Sequence, residues 1–243
     1  MLKDRIRDYW ENRAENFLDL SFAEMNNEKI DFWKKILTTA IGTERLKVLD
    51  VGTGAGYLAL VVASMGHAVT GIDLSPNMVT AAADLAVRMK LQCDFLVADA
   101  EQSGFPDHSF DVIISRNLTW TLPNIAGAYQ DWYRILRPGG RLLIFDADYG
   151  DRDFGANSLR ARQCQDEQPA KGHANVTFDQ LQECDAIKNH LDISKHRRPS
   201  RDILLLEECG FTEVTIQFAL TQQATDKTQV SPTNKLFGIY AKK

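Results

Sequence analysis

Between residues 47 and 147 the chain alternates short apolar runs with longer amphipathic stretches, and this alternation limits what it can fold into more than any other feature. KVLDV (47–51) is followed by a helical stretch through LALVVASM, then HAVTGID (67–73), then a helix from about Pro76 to Met89. CDFLVA (93–98), FDVIIS (110–115), a helix over about 124–136 and RLLIFDA (141–147) complete the series. Strands separated by helix-length segments cannot pair as hairpins; they lie parallel, joined by helical crossovers, which predicts an α/β doubly wound sheet with helices on both faces. Ser75 and Pro76 fit the N-cap and first turn of their helix, and Arg137-Pro138-Gly139-Gly140 reads as a helix stop and turn.

The flanks are different. Apolar side chains recurring at spacings of three and four predict helices over 3–20 and 26–41, an N-terminal helical cap. Residues 150–200 are polar and broken by Pro169, Gly172 and Pro199; a connection that long implies a partly helical insertion over the sheet, where substrate contacts often sit. A helix at 201–209, a strand at 211–219 and a last strand at 236–242 follow. The expected organisation is one domain: cap 1–44, ligand-binding core 45–149, substrate-side insertion 150–200, and closing helix and strands 201–243.

Composition narrows the class. With 243 residues, 44% hydrophobic and 25% charged, the chain can bury a full core. MLKDRIRDYWENRAENF mixes acids with bases and has no apolar centre, which argues against a secretory signal, and no run is long enough to cross a bilayer. Cys93, Cys164, Cys184 and Cys209 are scattered, and none of the five histidines is paired at ligand spacing, so no metal site or disulfide framework is expected and a cytoplasmic setting is the default. A net charge of −5 disfavours non-specific nucleic-acid binding. Oligomeric state, homodimer included, stays open.

The chemistry concentrates where the first strand ends, at Val48-Leu49-Asp50-Val51-Gly52-Thr53-Gly54-Ala55-Gly56-Tyr57. Glycines let backbone approach a ligand, and the helix that follows offers unpaired N–H groups. A dinucleotide fingerprint would place its third glycine where Tyr57 stands, and no Gly-Lys-Ser/Thr follows, so neither a pyridine nucleotide nor a nucleoside triphosphate loop is indicated. Asp50 just before the turn repels a pyrophosphate and suits an ammonium. Asp73 closes the second strand 21 residues after Gly52, about the offset at which a carboxylate grips ribose hydroxyls, and Asp99 closes the third, where it can accept from an adenine amine. In doubly wound sheets these strand ends converge on one crevice.

On VLDVGTGAGY, GIDLSPNM, VADAE, FDVIISRN and ILRPGGRLLIFD, the chain resembles the class I S-adenosylmethionine-dependent methyltransferases, in their small-molecule branch with the ubiquinone and menaquinone methyltransferase relatives. The resemblance is close over about 45–147 and implies a seven-stranded sheet whose last strand, antiparallel, is 236–242. It implies that Asp50, Gly52, Thr53, Gly54 and Gly56 hold the methionine end of S-adenosylmethionine, that Asp73 holds the ribose hydroxyls, and that Leu74 and Met78 of the same motif also contact the cofactor. Asp99 and Ala100 flank adenine, and Arg116 and Asn117 lie after the fourth strand, where family members place residues facing the sulfonium and the acceptor, Asn117 aligning either a substrate or the methionine moiety. Tyr9, Trp10 and Arg13 would close over the cofactor, with Arg13 meeting its carboxylate. Trp120 is a pocket wall or a core residue. His196 and Arg197, in the basic run 195–198, are either a solvated face or a grip on an anionic acceptor or RNA phosphates. The Asn-Pro-Pro-Tyr motif of adenine and glutamine methylation is missing.

The implied activity is methyl transfer to a small-molecule acceptor, with a non-catalytic cofactor-binding protein or an RNA methyltransferase as alternatives. Asp146, His108 and His196 are candidate general bases among which the sequence does not choose. Cys164 and Cys184 raise the idea of a thiol-dependent acceptor, which no paired cysteines support.

Overall fold

The computed structural model describes residues 1–150, 176–218, 220 and 236–243. Three helices come first, α1 (Leu2–Glu11), α2 (Ala14–Met25) and α3 (Lys29–Ile41). The winding section runs β1 (Lys47–Val51), α4 (Tyr57–Ser64), β2 (Ala68–Asp73), α5 (Pro76–Met89), β3 (Asp94–Val97), β4 (Phe110–Arg116), α6 (Ile125–Ile135) and β5 (Leu136–Asp146). It closes with α7 (Phe178–His190), α8 (Ser200–Glu208), β6 (Thr212–Gln217) and β7 (Phe237–Lys242).

The seven strands form one sheet in the order β3-β2-β1-β4-β5-β7-β6. β1 to β5 are parallel neighbours, and β7 runs antiparallel to β5 on one side and β6 on the other. The order reverses between β1 and β4, so the loops after both strands open into the same crevice. Side-chain alternation builds the two covering layers. Leu49, Ile113, Leu142 and Ile144 face a core shared with Trp132, Tyr129, Ile187 and Leu206. Val48, Val112, Ile114, Leu143 and Phe145 face the other, with Trp33, Leu37, Leu60 and Leu85.

Two boundaries differ from the sequence reading. The helix expected over 3–20 is two helices: the Asn12 side chain donates to the Asp8 carbonyl at 2.9 Å, closing α1, and the chain turns at Arg13 before α2 begins. The aromatic spacing that suggested continuity persists because both helices lay rings against the same cavity. Arg137–Gly140 is an irregularity inside β5 rather than a turn ahead of it; pairing with β4 jumps from Phe110–Leu136 to Val112–Arg141. Of the expected insertion, residues 151–175, with Cys164, Pro169 and Gly172, lie outside the described residues, and the remainder holds α7, capped at Thr177 by reciprocal bonds with Gln180. Position 219, the end of one expected strand, also lies outside them.

Candidate active site

The loops after β1, β2, β3 and β4, roofed by α1, α2 and α7, enclose a cavity of about 520 Å³. Small-molecule sites commonly span about 300–1,000 Å³. Tyr9, Arg13, Asp50, Gly52, Thr53, Gly54, Asp73, Leu74, Met78, Asp99, Ala100, Arg116, Asn117 and Trp120 all line it. Gly56 does not; it begins α4 behind the turn, its carbonyl accepting from Leu60 N–H at 2.9 Å. His196 and Arg197 are also absent from the wall and are exposed to solvent, the placement of a solvated basic face.

The floor is built around two carboxyls. Asp50 is 1% exposed and accepts from the Thr53 hydroxyl at 2.7 Å and Ala59 N–H at 3.1 Å. Burial pushes its carboxyl up to about 7, against the lowering effect of those two bonds. Asp73 accepts from Gly54 N–H at 2.9 Å on one oxygen and from Ser75 N–H at 3.0 Å on the other. It therefore ties the glycine turn to the mouth of α5, and burial raises it too. Gly52 and Gly54 have φ of +67° and +53°, which side chains rarely adopt. At Gly52 an added Cβ would also stand 2.6 Å from Leu118, so the turn lies directly under the loop that follows β4.

Along the third strand's end, Asp99 accepts from Lys3 Nζ at 2.6 Å and from Glu101 N–H at 2.9 Å. Lys3 also reaches Glu101 at 2.6 Å, so α1 is fastened to this edge. Trp132 of α6 donates to the Ala100 carbonyl at 2.8 Å, fixing that residue from beneath. Spacing alone gave no hint of the Lys3 contact, because its partners lie 96 and 98 residues away.

After β4, Asn117 has φ of +57°, donates its N–H to Phe145 O at 2.8 Å, and accepts from the Trp120 indole at 3.1 Å. Trp120 packs on Tyr149, ring centroids 4.8 Å apart. Arg116 stacks between Trp33 and Tyr57, 5.1 and 5.0 Å from their ring centres, and donates to Glu24 at 3.3 Å. Glu24, which also accepts from Lys29 at 2.7 Å, was missed in the sequence because it sits among ordinary exposed acids of α2.

A second missed group lies just behind the wall. Arg198, in the basic run, is buried; it donates to Asp202 at 2.9 and 2.6 Å, to Asp146 at 3.0 Å and to Thr119 at 2.6 Å. Asp146 also accepts from the Thr119 hydroxyl at 2.6 Å and Trp120 N–H at 3.2 Å, so this cluster holds the loop carrying Asn117 and Trp120. Its involvement there takes Asp146 out of the cavity wall, as their positions do for His108 and His196; none of the candidate bases faces the cavity. Cys184 of α7 does line it, with burial pushing its thiol up to about 11. Among the described residues no group of three or more His, Cys, Asp or Glu is gathered as a metal site, and no helix is long and apolar enough to cross a membrane.

Residues 49–144 match the sequence-family model described as "Methyltransferase domain". Phosphoethanolamine N-methyltransferase 3 of Arabidopsis thaliana is 40% identical over 101 residues, 41% of this chain and 21% of that protein. Demethylmenaquinone methyltransferase of Tropheryma whipplei is 36% identical over 121 residues, 49% of this chain and 50% of that one. The chain thus spans from about a fifth to half the length of these curated relatives. Among solved structures, phosphoethanolamine N-methyltransferase 2 of Haemonchus contortus, in complex with phosphomonomethylethanolamine and S-adenosylhomocysteine, superposes with a TM-score of 0.60 at 18% identity, covering 87% of this chain and 52% of that one. The PH0226 protein of Pyrococcus horikoshii gives 0.59 at 18% identity, with 88% and 90% coverage. These two structures share the fold.

Proposed function

We propose, on the premise that this chain belongs to the class I S-adenosylmethionine-dependent methyltransferases, that it transfers a methyl group from S-adenosylmethionine to a small-molecule acceptor. The observation that carries this reading is the convergence of Asp50, Asp73, Asp99 and the glycine turn on one cavity large enough for a small ligand. The residues fit that ligand: a buried carboxyl for an ammonium, a second carboxyl with lone pairs left over for ribose hydroxyls, and apolar Leu74, Met78 and Ala100 for an adenine face. The buried Tyr57 Oη, on a residue lining the cavity, also lacks a partner among the described residues.

Bound there, S-adenosylmethionine supplies a methyl carbon activated by positive sulfur; the acceptor's lone pair bonds to that carbon while the carbon–sulfur pair returns to sulfur, leaving a neutral thioether. The chain's contribution is alignment and exclusion of water. Asn117 and Trp120 are held on a loop braced by the Asp146–Arg198 cluster, and Tyr9, Trp10 and Phe17 bring apolar surface over the opening. Since Asp146, His108 and His196 do not line the cavity, an acceptor that must lose a proton passes it, among the described residues, to a lining carboxylate or to water. The acceptor is a small molecule rather than RNA, since the exposed cations 195–197 lie off the cavity. The scattered cysteines suit a cytoplasmic setting.

Calorimetry tests this directly. Wild type should bind S-adenosylmethionine with a micromolar dissociation constant, and Asp73→Ala should weaken binding more than about tenfold, roughly 1.4 kcal/mol. A wild-type protein with no affinity for the cofactor would end the proposal.

A further inference from the structure

Lys3, Arg13, Lys29 and Arg116 are the cations in the cavity wall among the described residues. Three of them face carboxylates: Lys3 meets Asp99 and Glu101, Lys29 meets Glu24, and Arg116 meets Glu24. Arg13 has no carboxylate partner among the described residues. Its Nη1 donates to the Tyr9 hydroxyl at 2.9 Å, and its Nε is buried without an acceptor, although the residue is only 6% exposed.

An unpaired guanidinium at that depth is expensive to keep dry. The rings of Tyr9, Trp10 and Phe17 surround it, centres 5.6, 5.8 and 5.0 Å from its central carbon, and offset part of the desolvation. Ring faces do not accept the in-plane N–H of Nε. The turn at Asn12–Arg13, which breaks the aromatic helix, is what drops this side chain inward. Nothing among the described residues completes this charged receptor, and guanidinium geometry selects a planar carboxylate or a phosphate.

Two anions can come to such a cavity, the cofactor's carboxylate and a charged acceptor. Arg116 is stacked on Tyr57, one residue past the glycine turn, and acts on Asp50 together with the opposing charge of Asp73, whereas Arg13 is hydrogen-bonded to Tyr9 of α1 and acts on Cys184 of α7. Arg13 thus belongs to the α1–α7 side, where Leu181 and Cys184 form the wall, while Arg116 is the cation beside the glycine turn. We propose that Arg13 receives an oxyanion of the methyl acceptor, so that the acceptor is a carboxylate or phosphate ester. Its remaining body is apolar or aromatic, matching Trp10, Phe17, Trp120 and Tyr149 around the same space. This inference rests on the methyltransferase reading above.

The test incubates the protein with methyl-tritiated S-adenosylmethionine and a metabolite extract already separated by ion exchange into anionic, neutral and cationic fractions. Label should enter the anionic fraction alone; prior phosphatase treatment abolishes the signal for a phosphate monoester and spares a carboxylate. Arg13→Met, which removes an unpaired buried charge and is expected to fold, should cut labelling at least about tenfold while S-adenosylhomocysteine affinity by calorimetry stays within about threefold; Arg13→Lys should restore part of the labelling. Label in the neutral or cationic fraction overturns the inference. So does a loss of about tenfold or more in S-adenosylhomocysteine affinity in Arg13→Met, which would give Arg13 to the cofactor's carboxylate. A protein that binds S-adenosylhomocysteine and labels no fraction also overturns it, whereas one that binds neither cofactor form removes the methyltransferase reading underneath.

Discussion

Cofactor binding should release a proton from Asp50. Burial holds this carboxyl at about 7, against an ordinary value of 3.8. Held at that value, the carboxyl favours its neutral form by roughly 4 kcal/mol over the same group in water. The folded state thus binds more protons than the unfolded one across the window from about pH 4 to 7, so stability without ligand falls as pH rises through it. An ammonium brought beside Asp50 reverses the preference and requires the charged form. If only that form binds, the affinity scales with the ionised fraction, about 0.03 at pH 5.5 and about 0.5 at pH 7, a rise of about fifteenfold. Calorimetry with S-adenosylhomocysteine in buffers of different ionisation enthalpy should report release of about one proton at pH 5.5 and about half a proton at pH 7. Asp50→Asn should abolish both the release and the slope. Buffer-independent heats at pH 5.5, or an affinity flat over this range, would refute the reasoning, and release surviving in Asp50→Asn would move the proton to Asp73, which burial also raises.

Other substitutions probe the scaffold. Arg198→Met leaves Asp146 and Asp202, both 0% exposed, without their cation, and thermal unfolding should show a loss of about 3–5 kcal/mol; a loss below about 1 kcal/mol would mean the cluster does not brace the loop. Gly52→Ala combines a left-handed backbone, costing ~1–2 kcal/mol, with displacement of Leu118, and should lower both urea resistance and S-adenosylhomocysteine affinity. Ser75→Ala deletes the α5 cap, where the hydroxyl accepts from Met78 N–H at 3.2 Å, and should cost about 1 kcal/mol in urea titration without changing the denaturant slope.

The parts of the site legible in the sequence are those that backbone geometry dictates locally. A buried strand ending in alternate glycines can only form a tight turn into a helix, and Asp73 and Asp99 follow from strand ends that a parallel sheet must bring to one edge. What stayed hidden depends on contacts between distant segments. Glu24 looks like any acid on an amphipathic helix until Arg116, 92 residues on, arrives beside it. Arg198 belongs to a run whose other members are solvated, and its burial is decided by Asp146 at the end of β5 and by Asp202 one helical turn later; the four-residue spacing to Asp202 was the one local sign. The break at Asn12 escaped the periodicity because a change in helix direction need not disturb the spacing of apolar residues.

The first helix bears on how fast a ligand comes and goes. At its start Lys3 is clamped by Asp99 and Glu101, and two residues later Arg5 is paired with Glu183 of α7 at 2.9 Å. Half-exposed pairs of this sort contribute only about 0–1 kcal/mol each, and dissolved ions weaken them further. Entry and departure beneath that helix should therefore quicken as ionic strength rises, with an electrolyte acting as a latch-release and the apolar lining left unaffected.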